Sequence, residues 1–509
     1  MNKNELYELT IEDIGTDGEG IGHIPDDRQE NSGRILASDA EETGKDNRGI
    51  AVFVKDTVVG DVARIKIVKV KKNYAYGRLE EIITPSQYRV EARCSKARSC
   101  GGCTLMHMSY EKQLDYKWNK VRNCLERIGG VENAANLMEP ICGMEEPYHY
   151  RNKMQFPVGL NKEGRVQIGF YAGRTHSIID LERCEIGHPV NNYILQELRP
   201  WLQAWQNQTG SFIYDEEHHK GLVRHILTRV GFTTGEVMVC LVVNGTELPD
   251  KGATDGSCSA ELIECLHRAV EHYNMEHYNM EQTQSLVLQS VSMNINREKT
   301  NRILGNTCRT LWGNPYITDY IGEVQFRISP MSFYQVNPVQ TKVLYDKAVA
   351  YADLTGNEIV WDMYCGIGTI SLCLAQKAKK VYGVEIVPQA IEDAKQNAKL
   401  NGLENTEFFC GKAEEVVPEF YQSGDNPGKH PDVVVVDPPR KGCEEILLQT
   451  IVKMAPERLV YVSCDPATLA RDVKRLGEMG YEIRKVGVVD QFCQGGHVES
   501  VVLITRKEK

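Results

Sequence analysis

No apolar stretch of about 18 residues occurs in the 509-residue sequence, which excludes a membrane-spanning helix on length alone. The opening residues, Met1-Asn2-Lys3-Asn4-Glu5-Leu6, lack the basic and apolar regions of a signal peptide, so a cytoplasmic protein with no membrane partner is expected. Sixteen cysteines in that compartment point to thiols, metal ligands or catalysis rather than to disulfides. A general excess of positive charge is missing too. The formal net charge is −11, which argues against a nucleic-acid binder at the level of the whole chain, but binding depends on local patches. One patch contains no acid at all: from Arg64 to Arg78 the chain carries Arg64, Lys66, Lys69, Lys71, Lys72 and Arg78, interleaved with Tyr74 and Tyr76. Most such runs are solvated faces. The interleaved tyrosines, which can stack on bases, favour RNA contact here through Lys69, Lys71, Lys72 and Arg78.

The length is too great for one hydrophobic core, so several domains are expected. Short β-like runs separated by turns occupy residues 5–84, among them Leu6–Ile11, Ala51–Val54, Asp61–Ile67 and Tyr74–Leu79, the pattern of an OB-type barrel. The polar stretch between Asp26 and Arg48 reads as a mobile inserted loop. Tyr110 to Ile128 has helical spacing and stops at Gly129-Gly130. β-like runs dominate from about 150 to 312, and the pentapeptide Glu-His-Tyr-Asn-Met occurs twice in tandem at 271–280, which reads as a tolerated surface insertion. From about 330 buried-strand runs alternate with helices: Ile359–Met363, Val381–Val384, Val433–Val436 and Leu459–Val462, with Pro388 to Asn401 helical between them. That alternation predicts a doubly wound α/β domain with a mostly parallel sheet.

In such a sheet, ligands bind at the carboxyl ends of the strands. Asp362-Met363-Tyr364-Cys365-Gly366-Ile367-Gly368-Thr369 follows the first strand and opens a helix, with small residues that let a ligand approach the backbone. The third glycine of a dinucleotide site is absent. Asp362 at one strand end and Glu385 at the next, the latter placed to bind ribose hydroxyls, make the motif more specific. Asp437-Pro438-Pro439-Arg440 closes a third strand with a rigid loop. Each piece alone is an ordinary turn. In this order they resemble the S-adenosylmethionine-dependent methyltransferases. Amino-group methylases of that kind end the comparable loop in an aromatic residue; Arg440 stands there instead, which leans away from amino methylation.

Ser463-Cys464-Asp465-Pro466 then delivers a cysteine to a strand's carboxyl end, where the proline blocks further pairing. Carbon 5 of a uracil becomes nucleophilic only after a thiolate adds at carbon 6, and a base must afterwards remove the carbon-5 proton. Cys464 suits the first role. Glu499, in Gly496-His497-Val498-Glu499-Ser500 just before the last strand, Val501–Ile504, suits the second. The plain alternatives are a buried structural thiol and a surface acid.

Ser-Cys-Asp-Pro, Asp-Pro-Pro-Arg, His-Val-Glu-Ser and Phe333-Tyr334-Gln335-Val336-Asn337-Pro338 together resemble the RNA uridine-5 methyltransferase family over nearly the whole chain. The resemblance implies an α/β multidomain protein. Residues 1–84 would form an OB-type TRAM barrel and 85–325 a central β-rich iron–sulfur and RNA-contacting domain, with the helix near 110–130 packing on the catalytic domain. Residues 326–509 would form a doubly wound, Rossmann-like methyltransferase domain. It implies Cys464 as nucleophile and Glu499 as base, and S-adenosylmethionine held at Gln335, Asp362, Tyr364, Gly366, Gly368, Glu385 and Asp437. Arg151 and Gln155 become RNA contacts by the same likeness. Lys412 departs from it, standing where relatives can carry Asn, so some adenine contacts there must differ.

Cys94-x5-Cys100-Gly101-Gly102-Cys103 places three thiols within ten residues. A second Cys-x2-Cys knuckle, as zinc ribbons have, is absent, and so is the radical-enzyme spacing. Spacing leaves Cys124, Cys142 and Cys184 open as a fourth ligand; the resemblance selects Cys184 and a 4Fe-4S cluster. The sequence-level expectation is thus a monomeric enzyme that methylates carbon 5 of a uridine in RNA, 23S ribosomal RNA in the cluster-bearing subgroup. The alternatives are a transfer-RNA methyltransferase, a noncatalytic RNA-binding ribosome-assembly factor, or a redox enzyme built on the cluster.

Overall fold

The computed structural model describes all residues except 26–48, 174, 250–256, 278–283, 423–429 and 508–509. The expected loop between Asp26 and Arg48 and most of the second pentapeptide copy therefore lie outside the described residues; the first copy falls in the helix Cys258–His277. The chain separates into two compact units, Met1–Lys120 with Gln494–Gly496, and Val121–Cys493 with His497–Lys509. No helix among the described residues is long and apolar enough to cross a membrane.

The first unit is built on a six-stranded sheet in the order Leu6–Thr10, Val62–Val70, Tyr74–Thr84, Ile50–Val54, Gly20–Ile24, Asp13–Ile14. Alternation drives it: Ala63, Ile65 and Ile67 point inward and pack with Leu9, Val52, Val54 and Ala75, while Arg64 and Lys66 point out. A side chain at Gly22 would clash with Leu9 and the Thr10 carbonyl, so strands at opposite ends of the order approach each other, as in a sheet that curls toward closure.

The second unit holds two seven-stranded sheets. One runs Thr307–Gly313, Val287–Ile295, Glu236–Val243, Val223–Val230, Lys153–Leu160, Val166–Tyr171, Ile178–Asp180. The helices Val190–Thr209 and Cys258–His277 cover one face, where Leu198, Trp201, Ile226, Leu241, Leu266 and Val291 form an apolar core. The other runs Thr406–Cys410, Lys380–Glu385, Ile359–Asp362, Val433–Val436, Arg458–Ser463, Glu499–Arg506, Tyr481–Val489. Its first five strands are parallel, and Glu499–Arg506 is antiparallel to both its neighbours. The strand order reverses between Ile359–Asp362 and Val433–Val436, which opens a crevice at their carboxyl ends. Val433–Val436 is buried on both faces, as a central parallel strand requires.

Candidate active site

Every candidate carboxylate of the second unit's α/β sheet lies at that crevice. Asp362 pairs with Gly383 on one side and Val435 on the other, so Glu385 and Asp437 each fall two residues beyond it on the flanking strands. Asp362 is buried and accepts a 2.6 Å hydrogen bond from the Ser371 hydroxyl. Ser371 was not singled out from the sequence; its signal was a polar residue on the buried face of the helix Thr369–Ala375. Tyr364 is half-buried beside Asp362, and Gly366 and Gly368 adopt φ of 55° and 86°, left-handed values that suit glycine in the turn. Glu385 keeps an exposed side and accepts from the Val387 N–H at 2.9 Å. Gln335 is buried, its carbonyl receiving the Asn152 amide at 3.0 Å. Asn337 caps the helix Pro338–Ala352 and donates to the Gln491 carbonyl, which holds the Phe333–Pro338 segment in place.

Cys464 and Glu499 meet through strand register. In the antiparallel pair Arg458–Ser463 with Glu499–Arg506 the ladder ends where Ser463 faces Ser500; Cys464 and Glu499 are the next residues on either side, and the charge of Glu499 acts on the Cys464 thiol. The strand begins at Glu499 itself, one correction to a reading that placed this acid just before it. Another concerns Pro466. Besides ending the strand, it is the first residue of the helix Pro466–Glu478, capped by Asp465, whose carboxylate accepts from the Ala467 and Thr468 N–H groups at 2.9 and 3.0 Å. Cys464 is half-buried just before that cap.

The pocket is crowded with acids. Burial, and then the charge of Glu385, raise Asp362 to about 6, against the opposing Ser371 hydrogen bond. Burial and Asp362 raise Asp437 to about 7; its side chain keeps some exposure to the crevice while protein encloses the rest. Burial and Asp437 raise Glu499 well above the carboxylate range, and among the described residues its buried Oε2 has no hydrogen-bond partner. Burial, Glu499 and Asp437 push the Cys464 thiol up to about 11. Arg440, exposed and 3.5 Å from His497 Nε2, lowers both Glu499 and Cys464. Four carboxyl groups in one crevice with one peripheral cation favour a positively charged ligand. These residues fit S-adenosylmethionine, which carries a sulfonium.

The other candidates lie elsewhere. Lys69, Lys71 and Lys72 are exposed where Val62–Val70 turns into Tyr74–Thr84, and Tyr74 and Tyr76 form a three-ring cluster with Phe53 at 5.6 to 5.9 Å. Arg78 is engaged by Glu80 at 2.7 Å, and Arg64 by Glu8 and Glu81. Arg151 and Gln155 are half-buried on the first sheet of the second unit. Lys412 is exposed and paired with Glu415 at 3.2 Å. Cys94, Cys100 and Cys103 are half-buried in the first unit; Cys184, half-buried in the second, has its N–H on Asn192. Burial, and then the charge of Cys94, raise Cys100, so these two thiols are neighbours. Among the described residues, no three His, Cys, Asp or Glu side chains gather as a metal-holding group. The thiol chemistry of Cys94, Cys100 and Cys103 fits ligands of an iron–sulfur cluster.

Comparison with known proteins adds to this geometry. The profile of the family described as tRNA (Uracil-5-)-methyltransferase matches residues 265–507, and that of the TRAM domain residues 2–79. The chain is 46% identical to an RNA methyltransferase of Clostridium tetani over 99% of its length and 97% of the relative's. It is 47% identical to one of Clostridium acetobutylicum over 100% and 99%. The crystal structure of Pyrococcus abyssi tRNA (uracil-54, C5)-methyltransferase with S-adenosyl-L-homocysteine shares the fold, with a TM-score of 0.70 at 23% identity over 98% of this chain and 99% of that one.

Proposed function

The chain belongs to the tRNA (uracil-5-)-methyltransferase family, with a TRAM domain at its N-terminal end, and we propose that it methylates carbon 5 of a uridine in 23S ribosomal RNA through Cys464 and Glu499. The observation that supports this reading is the strand ladder ending at Ser463 and Ser500, which leaves Cys464 and Glu499 as the adjoining residues, with the Glu499 charge acting on the Cys464 thiol. S-adenosylmethionine supplies an electrophilic methyl group on a positive sulfonium. Asp437, Asp362 and Glu385 answer that charge, while Gln335, Tyr364 and the Gly366–Gly368 turn shape the pocket around it. Cys464, once its proton is lost to water, adds to carbon 6 of a uracil, and carbon 5 then takes the methyl group as the methyl–sulfur bond breaks and the donor leaves as the neutral thioether. Glu499 Oε2 removes the carbon-5 proton, after which the C–S bond breaks and Cys464 is released. A uridine stacked in a helix cannot reach this crevice, so the target base leaves its stack.

The exposed Lys69, Lys71 and Lys72, the Phe53–Tyr74–Tyr76 rings, and Arg151 with Gln155 support RNA contacts in each unit. A 4Fe-4S cluster on Cys94, Cys100, Cys103 and Cys184 is proposed as a structural group, since the methyl transfer needs no electron. Iron and acid-labile sulfide in anaerobically purified protein test it; protein that is active with neither excludes it.

Mapping 5-methyluridine in ribosomal and transfer RNA from cells with and without this protein tests the reaction and the target. Loss of the mark from 23S ribosomal RNA alone is expected. Loss from transfer RNA alone selects the transfer-RNA reading, and no loss from either overturns uridine methylation.

A further inference from the structure

The face of the central sheet turned away from its two helices carries an unusual grouping. Arg229, on Val223–Val230, pairs directly across the strands with Lys153, on Lys153–Leu160. Like charges directly opposite each other repel, and buried ones do so most. Yet Arg229 is only 2% exposed, and among the described residues neither it nor Lys153 has a carboxylate within ion-pair distance. Arg151 adds a third cation two residues before Lys153, its Nε donating to the Lys153 carbonyl. Asp319, the buried acid of the adjoining hairpin, is engaged instead by the Phe232 and Thr233 N–H groups. Arg229 spends one nitrogen on the Ser332 carbonyl, while its Nε is buried with no partner. A buried, unpaired guanidinium costs several kcal/mol unless an anion completes it. Its direct neighbour repels it, and among the described residues no carboxylate supplies that anion.

The geometry points to a phosphate clamp: Arg229 and Lys153, flanked by Arg151, hold a backbone phosphodiester of the RNA strand bearing the target uridine. This rests on the RNA-methylating reading above and adds residues to it. RNA is the source of the anion because the clamp is tied to the donor-binding segment. Ser332, which receives Arg229, lies three residues before Gln335, and Asn152, between Arg151 and Lys153, donates its N–H to the Val336 carbonyl and its amide to that of Gln335. A phosphate held there bears on the loop that lines the methyl-donor pocket. A planar guanidinium takes two phosphate oxygens at once, and the lysine adds a point charge.

The arrangement carries its own pH signature. Burial, then Arg229 and Arg151, lower Lys153 to about 7 in the free protein. The groups acting on it are Arg229 on the next strand, Arg151 two residues before its own strand, and Cys240 beyond, whose sulfur lies 3.9 Å from that of Cys308. A bound phosphate raises Lys153, so binding is strongest below about pH 7 and weakens as pH rises through it.

The test uses full-length protein and 23S ribosomal RNA from cells lacking it, with RNA affinity measured against salt and pH and donor affinity measured by calorimetry. Lys153→Gln is expected to weaken RNA binding about tenfold, to reduce the slope of log affinity against log salt by roughly 0.7–0.9, and to leave donor affinity unchanged. Lys153→Arg should restore affinity and remove its pH dependence. A folded Lys153→Gln variant with wild-type RNA affinity and salt slope overturns the clamp. So does an equal loss of donor affinity, which would place the donor's carboxylate on these cations. Arg229→Lys, which keeps the charge and loses the bidentate fork, should weaken RNA binding by a smaller factor; unchanged affinity in that variant counts against the clamp. If wild-type protein binds the RNA with this salt and pH dependence yet methylates no uridine, the clamp stands and the reaction assigned above falls.

Discussion

Burial and neighbouring carboxylates disfavour the anion of both Cys464, pushed up to about 11, and Glu499, raised well above the usual carboxylate range. Their roles separate in two variants. Cys464→Ala should abolish turnover while donor affinity stays within about twofold, since no donor contact depends on the thiol. Glu499→Gln should leave RNA joined to the protein through carbon 6, visible as a band shift that survives denaturant; release of methylated RNA at the normal rate excludes Glu499 as the base. The sign of the pH dependence also follows. Groups raised by burial must lose protons to act, so with RNA saturating, kcat should climb as pH rises from about 6 to 9. A kcat that falls over that span contradicts an initial thiolate. Cys464 was legible in the sequence because few structural roles would set a cysteine between a buried-strand run and Asp-Pro. Ser371 was not, because a serine two residues into a helix can fill many roles.

At the scale of elements, legibility followed the apolar pattern. Val433–Val436 was read with its observed bounds, for its side chains are apolar throughout. Val223–Val230 escaped, although it is buried along its whole length, because Arg224, His225, Thr228 and Arg229 break the hydrophobic signal. What hid that strand is the set of buried polar groups that makes it worth testing. The capped helix after Cys464 also supports a prediction. Asp465→Ala removes two charge-assisted hydrogen bonds at the first turn of Pro466–Glu478 and should cost about 1 kcal/mol in urea unfolding. It should also lower kcat at least tenfold, because Cys464, the proposed nucleophile, loses the turn that positions it. Asp465→Asn keeps the acceptor and should recover most of both; a variant with full kcat would show that the cap does not position Cys464.

At the scale of the whole molecule, the order of elements was legible in composition: short alternating strands first, a β-rich middle, then strands alternating with helices. The partition into two compact units was not, since the unit containing Met1–Lys120 also takes in Gln494–Gly496, a tertiary return that no local pattern reports. Each unit has its own buried core, with Leu9, Val52 and Ile65 in one and Val360, Val433 and Val460 in the other. Calorimetry should therefore resolve more than one transition, and S-adenosylmethionine should raise the one belonging to the second unit. A single transition shifted as a whole by the donor would show that the units unfold together.

The pairing of Ser463 with Ser500 has a consequence for how this enzyme can change. Side chains alternate along a strand, so a shift of one residue in Glu499–Arg506 would turn Glu499 to the opposite face while leaving the thiol where it is. A single-residue insertion between Val489 and Glu499 that slid the whole strand would also turn the buried Val501, Val502 and Ile504; on the proposed mechanism, only one that displaced Glu499 alone would leave a folded protein that attacks RNA and cannot let it go. Length variation there is tolerable only where a bulge absorbs it, which makes this hairpin a sensitive place to look for dominant, RNA-trapping mutants.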